Sequence, residues 1–397
     1  MNQSITVNSL LKFYSASDWY QHHIKSEDLI FEDMMHNIEN EVLTFPTFQI
    51  IKHVINAAEL PLEYILLLRK INDNIIRLYK VKQFDRYAIV KQVKTLLHEV
   101  ARPISIIRLD IKSFYNTIDK NTILSKILDE DSLLSYESKF LLRKLLLDHE
   151  QLKGQKGLPF GLNISATLSE IYMRSFDKNI RMLDGVYYYA RFVDDILIMT
   201  YNKKDIRNEI KKYLPQGLFL HASDEKNSFE TLANIGSKCS FEYLGYKFSI
   251  KDKELTMSIA EQKVKKIKTR IVNSFLDFFR DKNFSLLEQR IKFLTGNYTI
   301  RHMKQRDINS AQVKKLKAGI FYNYQLIDKH DQLAELNLFI KKIILSKNGS
   351  FGKKISKKLS RVKKNTLLKY SFVEGFDSRI THNFDQRTLS QITNCWK

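Results

Sequence analysis

The most restrictive stretch of this sequence is residues 187–201, YYYARFVDDILIMTY. Two runs rich in aromatic and β-branched residues, 187–193 and 196–201, flank the adjacent acids Asp194 and Asp195. Such runs favour strands, so a hairpin with both acids at its turn is expected. Aspartate is common in turns. Two neighbouring acids between strongly apolar strands are less ordinary, because like charges repel and a bound divalent cation relieves the repulsion.

A third acid has a related setting. In 105–119, SIIRLDIKSFYNTID, the apolar residues Ile106, Ile107 and Leu109 predict a strand ending in Asp110, with a more helical pattern after it. A carboxylate at the end of a buried strand is unfavourable unless it faces a cation, although single aspartates at strand ends are frequent. One Asp on a strand and an acid pair on a neighbouring hairpin suit phosphoryl transfer. That chemistry needs positioning and charge neutralisation more than covalent help. Two Mg²⁺ ions, or Mn²⁺ in their place, held by a few carboxylate oxygens would supply it.

The surrounding pattern is α+β. Short strand-like runs (104–111, 186–193, 195–201, 241–250) alternate with helical stretches (122–147, 163–183). Residues 1–60 read as a helical extension and 61–255 as the mixed core. Residues 256–397 read as an all-α, basic C-terminal domain. In 264–294, Val264, Ile267, Ile271, Phe275 and Phe278 recur near one helical face.

Charge is uneven along the chain. The net charge is +21, and residues 261–397 hold 30 Lys and Arg against 11 Asp and Glu, a net of +19. The richest stretch is GKKISKKLSRVKKNTLLKY, 352–370. A positive field of this kind attracts polyanions. Nucleic acid is favoured over a membrane surface, since no basic run adjoins a long apolar anchor and no stretch of about 18 apolar residues occurs. The two cysteines, Cys239 and Cys395, form neither a zinc set nor a disulfide framework. The N-terminal residues lack the pattern of a secretory signal. A cytoplasmic location is the expectation.

The ordered motifs resemble those of reverse transcriptases. RLDIKSFYNTID is similar to motif A, and GQKGLPFGLNISATLSEIYM to motif B. RFVDDILIM is similar to motif C, GLFLHASDEKNSF to motif D, and FEYLGYKF to the primer grip of motif E. The resemblance implies a right-hand palm and fingers in which Asp110, Asp194 and Asp195 are the catalytic metal ligands, Asp195 contributing less directly. It implies a backbone role for Ile111 beside the metal and triphosphate. Tyr115 corresponds to an aromatic gate against the 2′-hydroxyl of rNTPs; a core tyrosine is the competing reading. Gly161 and Ser165 correspond to positions lining the nascent base pair. Arg86 and Lys91, in FDRYAIVKQV, correspond loosely to triphosphate-binding cations, and Lys226 to the motif D lysine.

Two departures stand out: Phe160 occupies a position that is usually Gln, and Val193 replaces the common Ala before the acid pair. The resemblance extends to compact bacterial abortive-infection and unknown-group enzymes of antiphage defence. That implies dNTP substrates, an RNA template such as a noncoding RNA, a DNA product, and a partner protein or homo-oligomer. Retron or mobile-element enzymes, template-independent or protein-primed polymerases, and an idle palm acting as an RNA scaffold are the alternatives.

Overall fold

The computed structural model describes residues 2–15, 18–19, 22–51, 53–82, 84–99, 103–129, 131–201, 204–222, 226–232, 238–252, 254–301 and 315–396. The chain divides into two compact units. The first holds Met1–Val93 and Glu99–Asn234, and the second holds most of the remainder, including Asn309–Lys397.

The first unit is built on a four-stranded antiparallel sheet of order β4-β5-β3-β6. Its strands are β3 (Ile104–Asp110), β4 (Val186–Phe192), β5 (Asp195–Thr200) and β6 (Ser228–Leu232). A small hairpin, β1 (Ile50–Ile51) and β2 (Val54–Ile55), precedes it. The central strands carry apolar residues on both faces, and both faces are buried. Ile107, Leu109, Ile196 and Ile198 join one large cluster with Leu168, Met173 and Phe176 of helix Asn163–Arg181, while Ile106, Leu197 and Met199 are buried outside it. Double-sided burial explains why these strands read as near-continuous apolar runs. The helical run 122–147 is broken into Lys120–Leu128 and Tyr136–Arg143, the second capped by Ser135, whose hydroxyl accepts the Ser138 N–H.

The second unit opens with a three-stranded meander: β7 (Lys238–Tyr243), β8 (Tyr246–Lys251) and β9 (Glu254–Ile259). Leu244 and Gly245 both take positive φ between β7 and β8, as a two-residue hairpin turn requires. Helices Glu261–Asp281 and Phe284–Thr295 follow, separated by left-handed Lys282 and by Asn283, whose side chain caps the second helix. Val264, Ile267, Ile271, Phe275 and Phe278 are all buried, as their spacing predicts.

The expectation of an all-α C-terminal domain is corrected. Strands β10 (Asn297–Arg301), β11 (Lys315–Gly319) and β12 (Thr381–His382) form a small sheet among its helices. Asn297 organises it. Its buried amide donates to the carbonyls of Gly375 and Ile380, and its side-chain oxygen accepts the Phe321 N–H. Partners so distant in sequence leave no local periodicity to read.

Candidate active site

Strand register brings the acids together. β3 pairs with β5 so that Asp110 lies directly opposite Asp195. The β4–β5 hairpin pairs Phe192 with Asp195, which leaves Val193 and Asp194 as the two turn residues. Asp195 therefore begins a strand instead of sitting in the turn. Val193 has φ 61°. That backbone is strained for a β-branched residue, and such strain persists only where the surroundings impose it.

Those surroundings are specific. The Arg191 guanidinium is 2% exposed and bridges Glu170 at 2.7 Å and Asp177 at 2.8 Å. It also donates to the Val193 carbonyl at 3.0 Å. The Tyr189 hydroxyl donates to Asp177 at 2.6 Å. Glu170 and Asp177 are seven residues apart, on one face of helix Asn163–Arg181. The acid-bearing turn is thus fastened to that helix through a desolvated ion triad. Burial opposes the charge on Arg191, but the two carboxylates more than offset it and keep the guanidinium protonated.

The end of β3 is fixed from both sides. The Ile111 N–H donates to the Asp194 carbonyl at 3.1 Å, and the Lys112 N–H donates to Phe219 at 2.8 Å. The His221 N–H donates to the Asp110 carbonyl at 2.9 Å. The Asp110 N–H donates to the Asn227 side chain at 2.9 Å, and that amide also donates to the His221 carbonyl.

Charges then distribute unequally. The Asp110 carboxylate faces Lys226 Nζ at 3.4 Å and His221 Nε2 at 3.3 Å. Asp195 accepts from Arg108 Nε at 3.2 Å. Burial nonetheless pushes the Asp195 carboxyl up to about 6, against the lowering effect of Arg108 and with Asp110 and Asp194 adding to the rise. Burial and the Asp110 charge raise Asp194 as well. Anionic charge here is under-compensated.

Among the described residues, no group of three or more His, Cys, Asp or Glu side chains is arranged to enclose a metal ion by itself. The donor set still fits a hard cation of the Mg²⁺ type. Such ions take one or two carboxylates and complete their shell with water and substrate phosphates. The Ile111 backbone adjoins these acids through its N–H bond to the Asp194 carbonyl.

Tyr115 lies in the short helix Phe114–Thr117 with its ring half-buried. Burial raises its phenol pKa, and the Asp194 charge contributes to the rise. Gly161 has φ 107°, and a Cβ there would lie 2.2 Å from the Ile55 carbonyl oxygen, so no other residue fits. Ser165 is buried and its hydroxyl donates to the Pro159 carbonyl at 2.6 Å, bracing the loop instead of facing solvent. Arg86 and Lys91 lie on helix Arg86–His98, half-buried and exposed respectively; their positions on that helix do not by themselves connect them to the acids. Lys226 does reach the site, at Asp110. Sequence reasoning missed Arg191, Glu170, Asp177, His221 and Asn227. Only Arg191 carried a signal: an arginine inside an apolar strand needs buried acids.

Two acids paired across the central strands of an antiparallel sheet, with a third in the adjoining hairpin turn, thus form one acidic cluster at the end of that sheet. Residues 62–248 match the family model described as reverse transcriptase (RNA-dependent DNA polymerase). The matched stretch includes the five motif-like segments from Arg108 to Phe248. No curated protein matches the sequence. Among solved structures, the chain is similar to telomerase from Candida Tropicalis in complex with the TWJ fragment of telomeric RNA, at 15% identity and TM-score 0.38, covering 92% of this chain and 65% of that one. Apo telomerase from Candida Tropicalis gives 14% and 0.36, covering 83% and 56%. Telomerase from Candida albicans gives 11% and 0.32, covering 83% and 53%. The chain thus spans between about half and two thirds of those proteins, and likenesses this weak carry no argument about function.

Proposed function

We propose that this chain is a divalent-metal-dependent reverse transcriptase that makes DNA from dNTPs on an RNA template. The observation that supports this most is the Asp110–Asp195 register pair with Asp194 in the adjoining turn, inside the stretch that matches the reverse-transcriptase family model. Asp110 and Asp194 would hold the metal directly, with Asp195 and the Ile111 carbonyl beside them. Mg²⁺ bound there would lower the pKa of the primer 3′-hydroxyl and neutralise the triphosphate. The protein's own part is to hold the acids in place. Arg191 fixes the turn, and Arg108 orients Asp195. Asn227 and His221 hold the Asp110 backbone, and Lys226, 3.4 Å from the Asp110 carboxylate, would give a proton to leaving pyrophosphate. Tyr115 would exclude a 2′-hydroxyl.

The motif resemblance to compact bacterial defence enzymes, together with the basic C-terminal third, supports a noncoding RNA template and a role in bacterial antiphage defence, in the cytoplasm. No helix among the described residues is long and apolar enough to cross a membrane. The test is dNTP incorporation by the purified protein with its co-purifying nucleic acid, in Mg²⁺ or EDTA, with and without prior RNase. DNA that requires Mg²⁺ and is lost after RNase is expected, and sequencing it identifies the template. DNA that survives RNase would replace the templated reading with untemplated or protein-primed synthesis. A defence role predicts that a phage-restriction phenotype disappears in Asp194→Asn; unchanged restriction by that variant would contradict it.

A further inference from the structure

Tyr115 is held by more than its own helix. Its carbonyl accepts the Leu158 N–H at 2.9 Å. A Cβ on Gly157 would lie 2.5 Å from that same carbonyl oxygen and 2.6 Å from Asn116 Cα, so the 157–161 loop rests directly on the Tyr115 backbone. The same loop delivers Phe160 to the Tyr115 ring, edge to face, with centroids 5.4 Å apart and planes at 70°. Phe114 contacts the ring at 5.3 Å.

The loop is anchored in turn. The Phe160 carbonyl accepts the Ile55 N–H at 2.8 Å, and Gly161 packs against the same Ile55. Ser165 ties Pro159 to the start of helix Asn163–Arg181. Phe160 is nevertheless 49% exposed. A large apolar ring rigidly carried, half open to solvent and leaning on a half-buried tyrosine, is not explained by core packing.

We propose that Phe160 clamps the Tyr115 ring, and that it thereby sets how strictly the site rejects a ribonucleotide. The inference rests on the reading of Tyr115 as the nucleotide gate. A ring excludes a 2′-hydroxyl only as far as displacing the ring is unfavourable. A tyrosine free to swing would admit the hydroxyl at the expense of one rotamer change. Ring contacts from Phe160 and Phe114 raise that expense. Phe160 is a positioning residue: it acts through Tyr115, not on the substrate's reacting atoms.

The experiment is steady-state incorporation of matched dNTP and rNTP by the full chain, reading the ratio of their kcat/KM values. Phe160→Ala should raise the rNTP/dNTP ratio about three- to tenfold, the range an edge-to-face pair accounts for. Phe160→Tyr should restore it. Tyr115→Ala should raise it most, and adding Phe160→Ala to that background should leave it unchanged. A loosened structure would not reproduce this dependence on the Tyr115 ring. The clamp is overturned if Phe160→Ala leaves the ratio unchanged, or if it shifts the ratio equally with and without the Tyr115 ring. It also falls if Tyr115→Ala has no effect, because the gate itself is then lost. In that case dNTP incorporation abolished by Asp194→Asn would leave the polymerase reading standing.

Discussion

The four-stranded sheet of the first unit and the C-terminal third treat charge in opposite ways. Around the acids of that sheet, charged groups are few, buried or partly buried, and set against specific partners: Arg191 with Glu170 and Asp177, Arg108 with Asp195, and Lys226 and His221 at Asp110. In residues 261–397 a net charge of +19 lies mostly on amphipathic helices whose apolar faces are buried and whose lysines are not. Lys353, Lys354 and Lys357 are all exposed. The first arrangement has value only if positions are held to fractions of an ångström. The second works through a field that tolerates many placements. On the proposed function, chemistry belongs to the first region and association to the second, and each half of that division can be broken separately.

The largest expected effect is on chemistry. Asp110→Asn or Asp194→Asn should lower dNTP incorporation by about a thousandfold or more, because transition-state charge is then left without its metal. RNA affinity should stay within about twofold, since no phosphate-binding cation is lost. A parallel loss of RNA affinity would break the division.

Next comes the scaffold of the turn. Arg191→Met strands two buried carboxylates and should destabilise the protein by about 3–5 kcal/mol, read by chemical denaturation. An unaltered midpoint would show that the triad does not hold the hairpin.

The basic region should respond more gently. The triple change of Lys353, Lys354 and Lys357 to Ala should reduce the slope of log affinity against log salt by about 2 for single-stranded RNA. Turnover at saturating template should be retained. A change in turnover with an unchanged salt slope would reverse the assignment.

The smallest effect is on pH dependence. The Asp195 carboxyl, raised to about 6, favours the protonated form in the folded state. Its stabilising contribution is complete below the unfolded value and is lost as pH rises through about 6. In EDTA the melting temperature should therefore fall by about 2 °C between pH 5 and pH 7. Asp195→Asn should flatten that fall, and Mg²⁺ should reduce it. A steeper fall in the Asn variant would contradict the burial of this charge.

What the sequence made legible was local. The acids could be read because strand alternation and adjacency are properties of ten or fifteen residues. The buried face of Glu261–Asp281 could be read because its period repeats five times over. The break after it was also readable in principle, since Asn283 is a good capping residue and its side chain accepts the Leu286 N–H. Partners far along the chain were not readable. Glu170 and Asp177 precede Arg191 by 21 and 14 residues. His221 and Asn227 lie more than a hundred residues from the Asp110 they support. The parallel pairing of β10 with β12 joins Tyr298 to His382. These contacts exist only once the sheets have formed. The strain at Val193 was likewise invisible, because a valine beside two acids reads as one more strand residue until its φ is known.

The central claim is tested most directly by extending a DNA primer annealed to an RNA of defined sequence, with all four dNTPs and Mg²⁺, and sequencing the product. The account predicts DNA complementary to the RNA, absent with EDTA and absent in Asp194→Asn. Product whose sequence ignores the template, or template-directed synthesis that survives Asp194→Asn, would contradict it.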